Sequence, residues 1–283
     1  MRYNSYGKVS VMTSEEKPAA FDRSTMPFVA PCRQISPLAP FGWLRKGWTD
    51  FRQTPRQSIA YGAFMAVTMG LVASFAWAYG SQWLMLAMIG GFAFLAPLTC
   101  IGLYAIRAQL ERGQTPLLRR SLRAAFKRHL GNEMIFALAL LVIFMVWARA
   151  GAMVSVFLPS SGHPEFTELT GYLTVGTIVG AFFAAVTFSA SAFALPMIVH
   201  RDVDSVTAIV TSINAVLRNK LTMMIWLALI VLGLVIGVLT AFFGLVIILP
   251  VIGYGAWQGY LETIDASAFP RHEIGVTSTP RNQ

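Results

Sequence analysis

The amino-acid sequence predicts an all-α polytopic membrane protein, with six transmembrane helices arranged as three hairpins and amphipathic helices lying at the cytoplasmic interface. Three observations lead there: long apolar blocks, basic residues gathered on one side, and a repeated hairpin unit. Of 283 residues, 55% are hydrophobic and only 12% are charged, where a soluble domain carries about 25% charged residues. Mean hydropathy is +0.60. The apolar content falls in blocks of about 20 residues, the length a bilayer core requires.

Residues 1–40 form a polar arm containing Pro18, Pro27, Pro31, Pro37 and Pro40, expected to be flexible. No apolar core of a signal peptide is expected in it. Residues 41–57 hold a short amphipathic helix and a linker. In FGWLRKGWTDFR, Phe41, Leu44, Trp48 and Phe51 fall on one face and Arg45, Lys46 and Arg52 lie off it, a pattern suited to the membrane surface. The membrane domain spans 58–262. Its first span runs from about Ile59 to Ala78 and its second from about Trp83 to Ile106.

A basic stretch follows, in which Arg119, Arg120, Arg123, Lys127 and Arg128 surround the apolar face of a second interfacial helix. The third span covers about Met134 to Val154 and the fourth about Gly171 to Ile198. Between Asp204 and Asn219, the apolar residues Val206, Ile209, Val210, Ile213, Val216 and Leu217 form a helical stripe. Leu221 to Tyr260 is a nearly continuous apolar run. As one helix it would be ~60 Å long, about twice the hydrocarbon thickness, so it must fold back, and Thr240 to Gly244 (TAFFG) is the expected turn. Residues 263–283 make a polar tail.

Orientation follows from lysine and arginine. Of the 22, nine precede the first span, seven follow the second, three follow the fourth and two lie in the tail, leaving only Arg149 for the other side. Both termini are therefore expected in the cytoplasm of a bacterium, with the chain in its inner membrane. The net charge of +9 flanks the apolar blocks, which points to anionic lipid headgroups rather than nucleic acid. Trp43, Trp48 and Phe51 are expected at the same interface. The repeat pairs Phe94-Leu95-Ala96-Pro97 with Phe193-Ala194-Leu195-Pro196, and SLRAAFKRHL from Ser121 with SINAVLRNKL from Ser212.

No catalytic constellation emerges. The histidines, His129, His163, His200 and His272, sit at predicted interfaces, in loops or in the tail. None has ligand spacing to another. Cys32 and Cys100 do not suggest a disulfide framework. The predicted span cores hold no charge, which argues against a proton-coupled path. The expectation is a protein without cofactor, metal or enzymatic activity. Small residues are the positive signal: Gly176, Gly180 and Ala184 in the fourth span, Gly233 and Gly237 in the fifth, Gly255 and Gly259 in the sixth. Such spacing lets helix backbones approach closely, within the chain or against other membrane-protein subunits.

At Gly47-Trp48-Thr49-Asp50-Phe51-Arg52, Pro55, Ser58 and Tyr61-Gly62, the sequence resembles a prokaryotic family of integral membrane proteins grouped as a domain of unknown function. Some of its members are labelled putative cytochrome c oxidase subunit I. The similarity extends from about Ile35 to Asp265. A haem-copper catalytic subunit needs several buried histidines, which this chain lacks. The resemblance therefore implies at most an accessory, stabilising or assembly subunit of a larger membrane complex, such as a respiratory one. A small-solute or lipid transporter or channel is the alternative.

Overall fold

The computed structural model describes residues 27–79, 98–113, 130–154 and 166–271, and among these it is all-helical. The helices are α1 (Ala39–Gln53), α2 (Pro55–Ala78), α3 (Ile101–Glu111), α4 (Leu130–Val154), α5 (Phe166–Ser191), α6 (Ala194–His200), α7 (Ser205–Arg218), α8 (Lys220–Leu239) and α9 (Leu245–Thr263). Five stretches are long and apolar enough to cross a membrane: Pro55–Phe75, Met134–Val154, Thr170–His200, Lys220–Leu239 and Leu245–Thr263. The sequence predicts a sixth, from Trp83, most of which lies outside the described residues. Its final turns are seen in α3, where Leu103 and Ile106 are buried. The basic segment with Arg119, Arg120, Arg123, Lys127 and Arg128 also lies outside the described residues.

The long apolar run reverses where predicted, between Leu239 and Leu245. Ala241 and Phe242 take left-handed φ values of 50° and 70°. The reversal is closed by the Phe242 amide donating to the Gly237 carbonyl at 2.8 Å, and Thr240 Oγ1 accepts from the Gly244 amide at 2.9 Å. The stretch Thr170–His200 is interrupted at residues 192–193. Pro196 has no amide hydrogen, so the ladder cannot run through it unbroken. Ser212 of α7 bridges the gap: its hydroxyl accepts from the Phe193 amide at 3.1 Å and donates to the Ser189 carbonyl at 2.7 Å.

Helix α9 is the hub. It packs against α1 and α2 most extensively and also touches α3, α6 and α8. Its glycines and aromatics, Gly253, Tyr254, Gly255, Trp257, Gly259 and Tyr260, are all buried. The α4–α5 hairpin stands apart. Its contacts are chiefly internal or with α7, and Met134, Leu138, Met145, Ile178 and Phe182 are exposed.

Two segments expected to be flexible, residues 27–38 of the arm and 264–271 of the tail, are held in place, and the rest of the arm and tail lies outside the described residues. Residues 27–38 lie along α7 and are held by side chains. Thr211 Oγ1 accepts from the Ala30 amide at 3.1 Å, and Arg218 Nη1 donates to the Cys32 carbonyl at 2.9 Å. Asn219 binds the strap twice, accepting from the Ile35 amide at 2.9 Å and donating to the Arg33 carbonyl at 3.0 Å. The Arg33 amide then donates to the Thr263 carbonyl, and the Asp265 amide to the Pro31 carbonyl, so the strap meets the segment after α9. Polar composition suggested disorder, but these backbone groups find fixed partners in α7 and in the segment after α9. Burial raises the pKa of the Cys32 thiol, against the lowering effects of Arg218 and Asn214.

Helices α1 and α7 turn an unexpected face inward. In α7 the buried residues are Ser205, Thr207, Ala208, Thr211, Ser212, Ala215 and Val216, while Val206 and Leu217 are exposed. In α1 the buried residues are Pro40, Trp43, Gly47, Asp50 and Phe51, while Phe41 and Trp48 are exposed. Helix α7 therefore docks by a mainly small and polar face, and α1 by a mixed face in which Gly47 and Asp50 lie between Trp43 and Phe51. That leaves part of the predicted apolar stripe outward, at the level where an interfacial helix meets lipid.

Candidate functional site

The polar chemistry of the described residues gathers where α1 docks on α9. Asp50, Thr54 and Ser58 recur at intervals of four, so they project from one side of the α1–α2 junction. Asp50 Oδ2 accepts from Arg107 Nε of α3 at 2.9 Å and from Gln258 Nε2 of α9 at 2.7 Å. The Asp50 and Arg107 side chains are 9% and 16% exposed, so this ion pair is largely withdrawn from solvent. One turn deeper, the Tyr254 hydroxyl lies 2.8 Å from Ser58 Oγ and 3.3 Å from Thr54 Oγ1, and Thr54 Oγ1 lies 3.1 Å from Ser58 Oγ. The Tyr61 hydroxyl donates to the Thr99 carbonyl. A closed network of this kind ties four helices together and satisfies its own polar groups.

Two glycines make the approach possible. A Cβ at Gly47 would press on the backbone of Val251 and Gly255, and one at Gly62 on the backbone of Val246. Close helix approach through small residues is the expected route to packing in a bilayer. Beside Gly47, Trp43 is fully buried, edge-on to Trp226 at 5.4 Å and to Phe193 at 6.2 Å. Its Nε1 donates to Glu262 Oε2 at 3.0 Å. Gly259 forms the shelf under it, where a Cβ would come within 3.0 Å of the Trp43 ring, and Gly255 leaves room for the Trp226 ring and the Trp43 backbone.

This geometry changes the reading of the interface residues. Trp43 sits in the protein core instead of at the lipid surface, because Gly255 and Gly259 leave space for an indole. Phe51 is also buried, and Trp48 stacks on it at 5.3 Å with rings nearly parallel, so of the three only Trp48 faces outward. Gly233 faces the Ile248 and Ile252 side chains, and Gly237 faces Leu245, which places both inside the α8–α9 hairpin. Gly176 and Gly180 are different. Among the described residues, a Cβ on Gly176 would touch only Val154, at 3.8 Å, and one on Gly180 would meet nothing within 4 Å. Ala184 is exposed. These two glycines line a cleft of about 420 Å³ between α4 and α5, with Trp147, Val154, Tyr172 and Thr177.

A second buried cluster lies at the end of α6. His200 Nδ1 is 3.0 Å from the Tyr260 hydroxyl, and His200 Nε2 is 3.8 Å from Glu111 Oε1. The imidazole also lies against Trp257, with ring centroids 5.4 Å apart. Among the described residues, no group of three or more His, Cys, Asp or Glu is placed to hold a metal ion.

Sequence reasoning overlooked Asp50, Arg107, Gln258 and Tyr254 as a unit. The signal present was the four-residue spacing of Asp50, Thr54 and Ser58, together with Gly47 and Gly62. All of these except Thr54 are residues of the signature that carries the family resemblance, and their common property is the docking of α1 and α2 on α9.

No curated protein and no solved structure matches the chain. The signature around α1 lies outside the one stretch that a family model covers. That stretch runs from the segment before α3 to the end of α6, and it takes in two of the five apolar crossings. Residues 84–200 match the family described as predicted integral membrane protein (DUF2189), and this chain is an integral membrane protein of the multi-pass kind.

Proposed function

We propose that the protein is a non-catalytic accessory, stabilising or assembly subunit of a larger membrane complex. The observation that carries this reading is the flank of α5. Gly47, Gly62, Gly233, Gly237, Gly253, Gly255 and Gly259 are packed against backbone, aromatic or aliphatic neighbours, but Gly176 and Gly180, with Gly151 of α4, line an apolar cleft that leaves space for another helix among the described residues. The α4–α5 hairpin, which owns that cleft, meets the rest of the described chain chiefly through α7. The polar groups at the α1 end bond to one another, which suits a scaffold better than a reaction centre. A respiratory complex is the partner that the family resemblance suggests.

The test uses the full chain with Gly176→Leu and Gly180→Leu together. The isolated variant should unfold at the wild-type temperature, since the added side chains enter open space. Stoichiometric recovery of partner subunits in mild detergent should be lost. Recovery of the same subunits in the same ratio would overturn the assignment. The cleft also favours a second reading, lipid or small-solute transport, because 420 Å³ is within the range of small-molecule sites, about 300–1,000 Å³. In that case the variant would lose transport in vesicles with no change in associated subunits.

The proposed setting is a bacterial inner membrane, crossed six times with both ends in the cytoplasm. The meeting of the strap and the segment after α9 supports an even number of crossings. Reporter fusions after Asn219 and Gln283 should both give a cytoplasmic signal, and one after Ser161 a signal from outside. An outside signal at Gln283 would refute the topology.

A further inference from the structure

We propose that Arg201 and Arg271 form a binding site for a phosphate-bearing anion beside the end of α6. The two residues oppose one another in an isolated antiparallel bridge, extended by the Asp202 amide donating to the Pro270 carbonyl at 3.0 Å. Directly opposed residues in such a pair project to one side with Cβ atoms about 4.5–5.5 Å apart, and like charges there repel. Arg201 has extended backbone, φ −126° and ψ 152°, so the neighbouring Asp202 projects to the other side.

The carboxylates nearby are engaged elsewhere. Asp50 takes Arg107, Glu262 takes Lys46, Asp265 takes Arg33, and Glu111 faces His200. Among the described residues no carboxylate pairs with Arg201 or Arg271. Arg201 Nη1 is spent on the Phe269 carbonyl at 2.8 Å and the guanidinium also interacts with the Tyr260 hydroxyl, which fixes its plane, but its Nε is buried with no hydrogen-bond partner among the described residues. A buried donor without an acceptor asks for a ligand oxygen. Arg112 adds to the positive field, acting with Arg201 and Arg271 on the adjacent His200.

A guanidinium fork matches the oxygen geometry of phosphate, and two of them hold it firmly. Arg201 directly follows the apolar stretch Thr170–His200, the depth of a headgroup. The phosphate source is either an anionic phospholipid or a soluble phosphate, and experiment separates them. Thermal unfolding of the full chain would be followed in nanodiscs of phosphatidylcholine alone, with added phosphatidylglycerol, and with inorganic phosphate. Stabilisation by phosphatidylglycerol alone would support the site with a lipid source, and stabilisation by inorganic phosphate would support it with a soluble one. The response should weaken roughly tenfold in apparent affinity on losing one charge-assisted contact, in Arg201→Gln and in Arg271→Gln. Arg271 is exposed, so its variant keeps the fold even where Arg201→Gln, which loses the bond to Phe269, does not. No stabilisation by either anion, or an undiminished response in Arg271→Gln, would overturn the proposal.

Discussion

Asp50→Ala is expected to destabilise the protein by about 3–5 kcal/mol, the range for leaving one member of a buried ion pair without its partner. The substitution strips Arg107 of its carboxylate and leaves the Gln258 amide without its 2.7 Å acceptor. Arg107→Ala should cost a similar amount, since it leaves Asp50 charged and mostly buried. Combining Asp50→Leu with Arg107→Met should recover much of the loss, because an apolar pair of similar volume needs no counter-charge. Equilibrium unfolding in mixed detergent micelles measures all three. A cost below about 1 kcal/mol for Asp50→Ala, the scale of an exposed pair, would mean that water reaches the site and that α1 is not held by it.

Gly62→Val and Gly47→Val should each prevent α1 and α2 from seating on α9. The added atoms would meet backbone of Val246 in one case and of Val251 and Gly255 in the other. Backbone in a helix cannot swing aside as a side chain does, so the helices must separate. Overpacking costs typically about 1–3 kcal/mol, and here the Asp50 network would be lost with it. The control is Gly180→Val, which adds the same atoms to the same kind of helix but into open space. It should leave the unfolding curve of the isolated chain within about 0.5 kcal/mol, as for a substitution that touches nothing. Equal losses at Gly62 and Gly180 would show that the α2–α9 contact is not the tight one.

The two sets of glycines show why the site was only half legible. Gly176, Gly180, Gly233, Gly237, Gly255 and Gly259 share one spacing, and spacing alone cannot separate a shelf for Trp43 from a flank open to the bilayer. Gly47 and Gly62 belong to no such pattern, yet they make the closest backbone approaches. The polar network had the opposite difficulty. Nothing in the local pattern of the interfacial helix marks Asp50, because its partners come from positions 57 and 208 residues away.

The apolar blocks by themselves determined that this chain is helical and membrane-spanning, since only a helix satisfies its backbone groups without water over such lengths. They also located the reversal at Thr240 to Gly244, because a 40-residue helix overshoots the bilayer. The face each interfacial helix turns to the protein was decided only by the tertiary structure. An apolar stripe lowers free energy equally against lipid or against core, so Phe41 and Trp48 could go either way. The choice fell to Gly47 and Asp50 in α1 and to Thr211 and Ser212 in α7. Their small size and hydrogen-bonding groups fit particular partners on α9, in the strap and at the end of α5, and those partners come together only when the chain is folded.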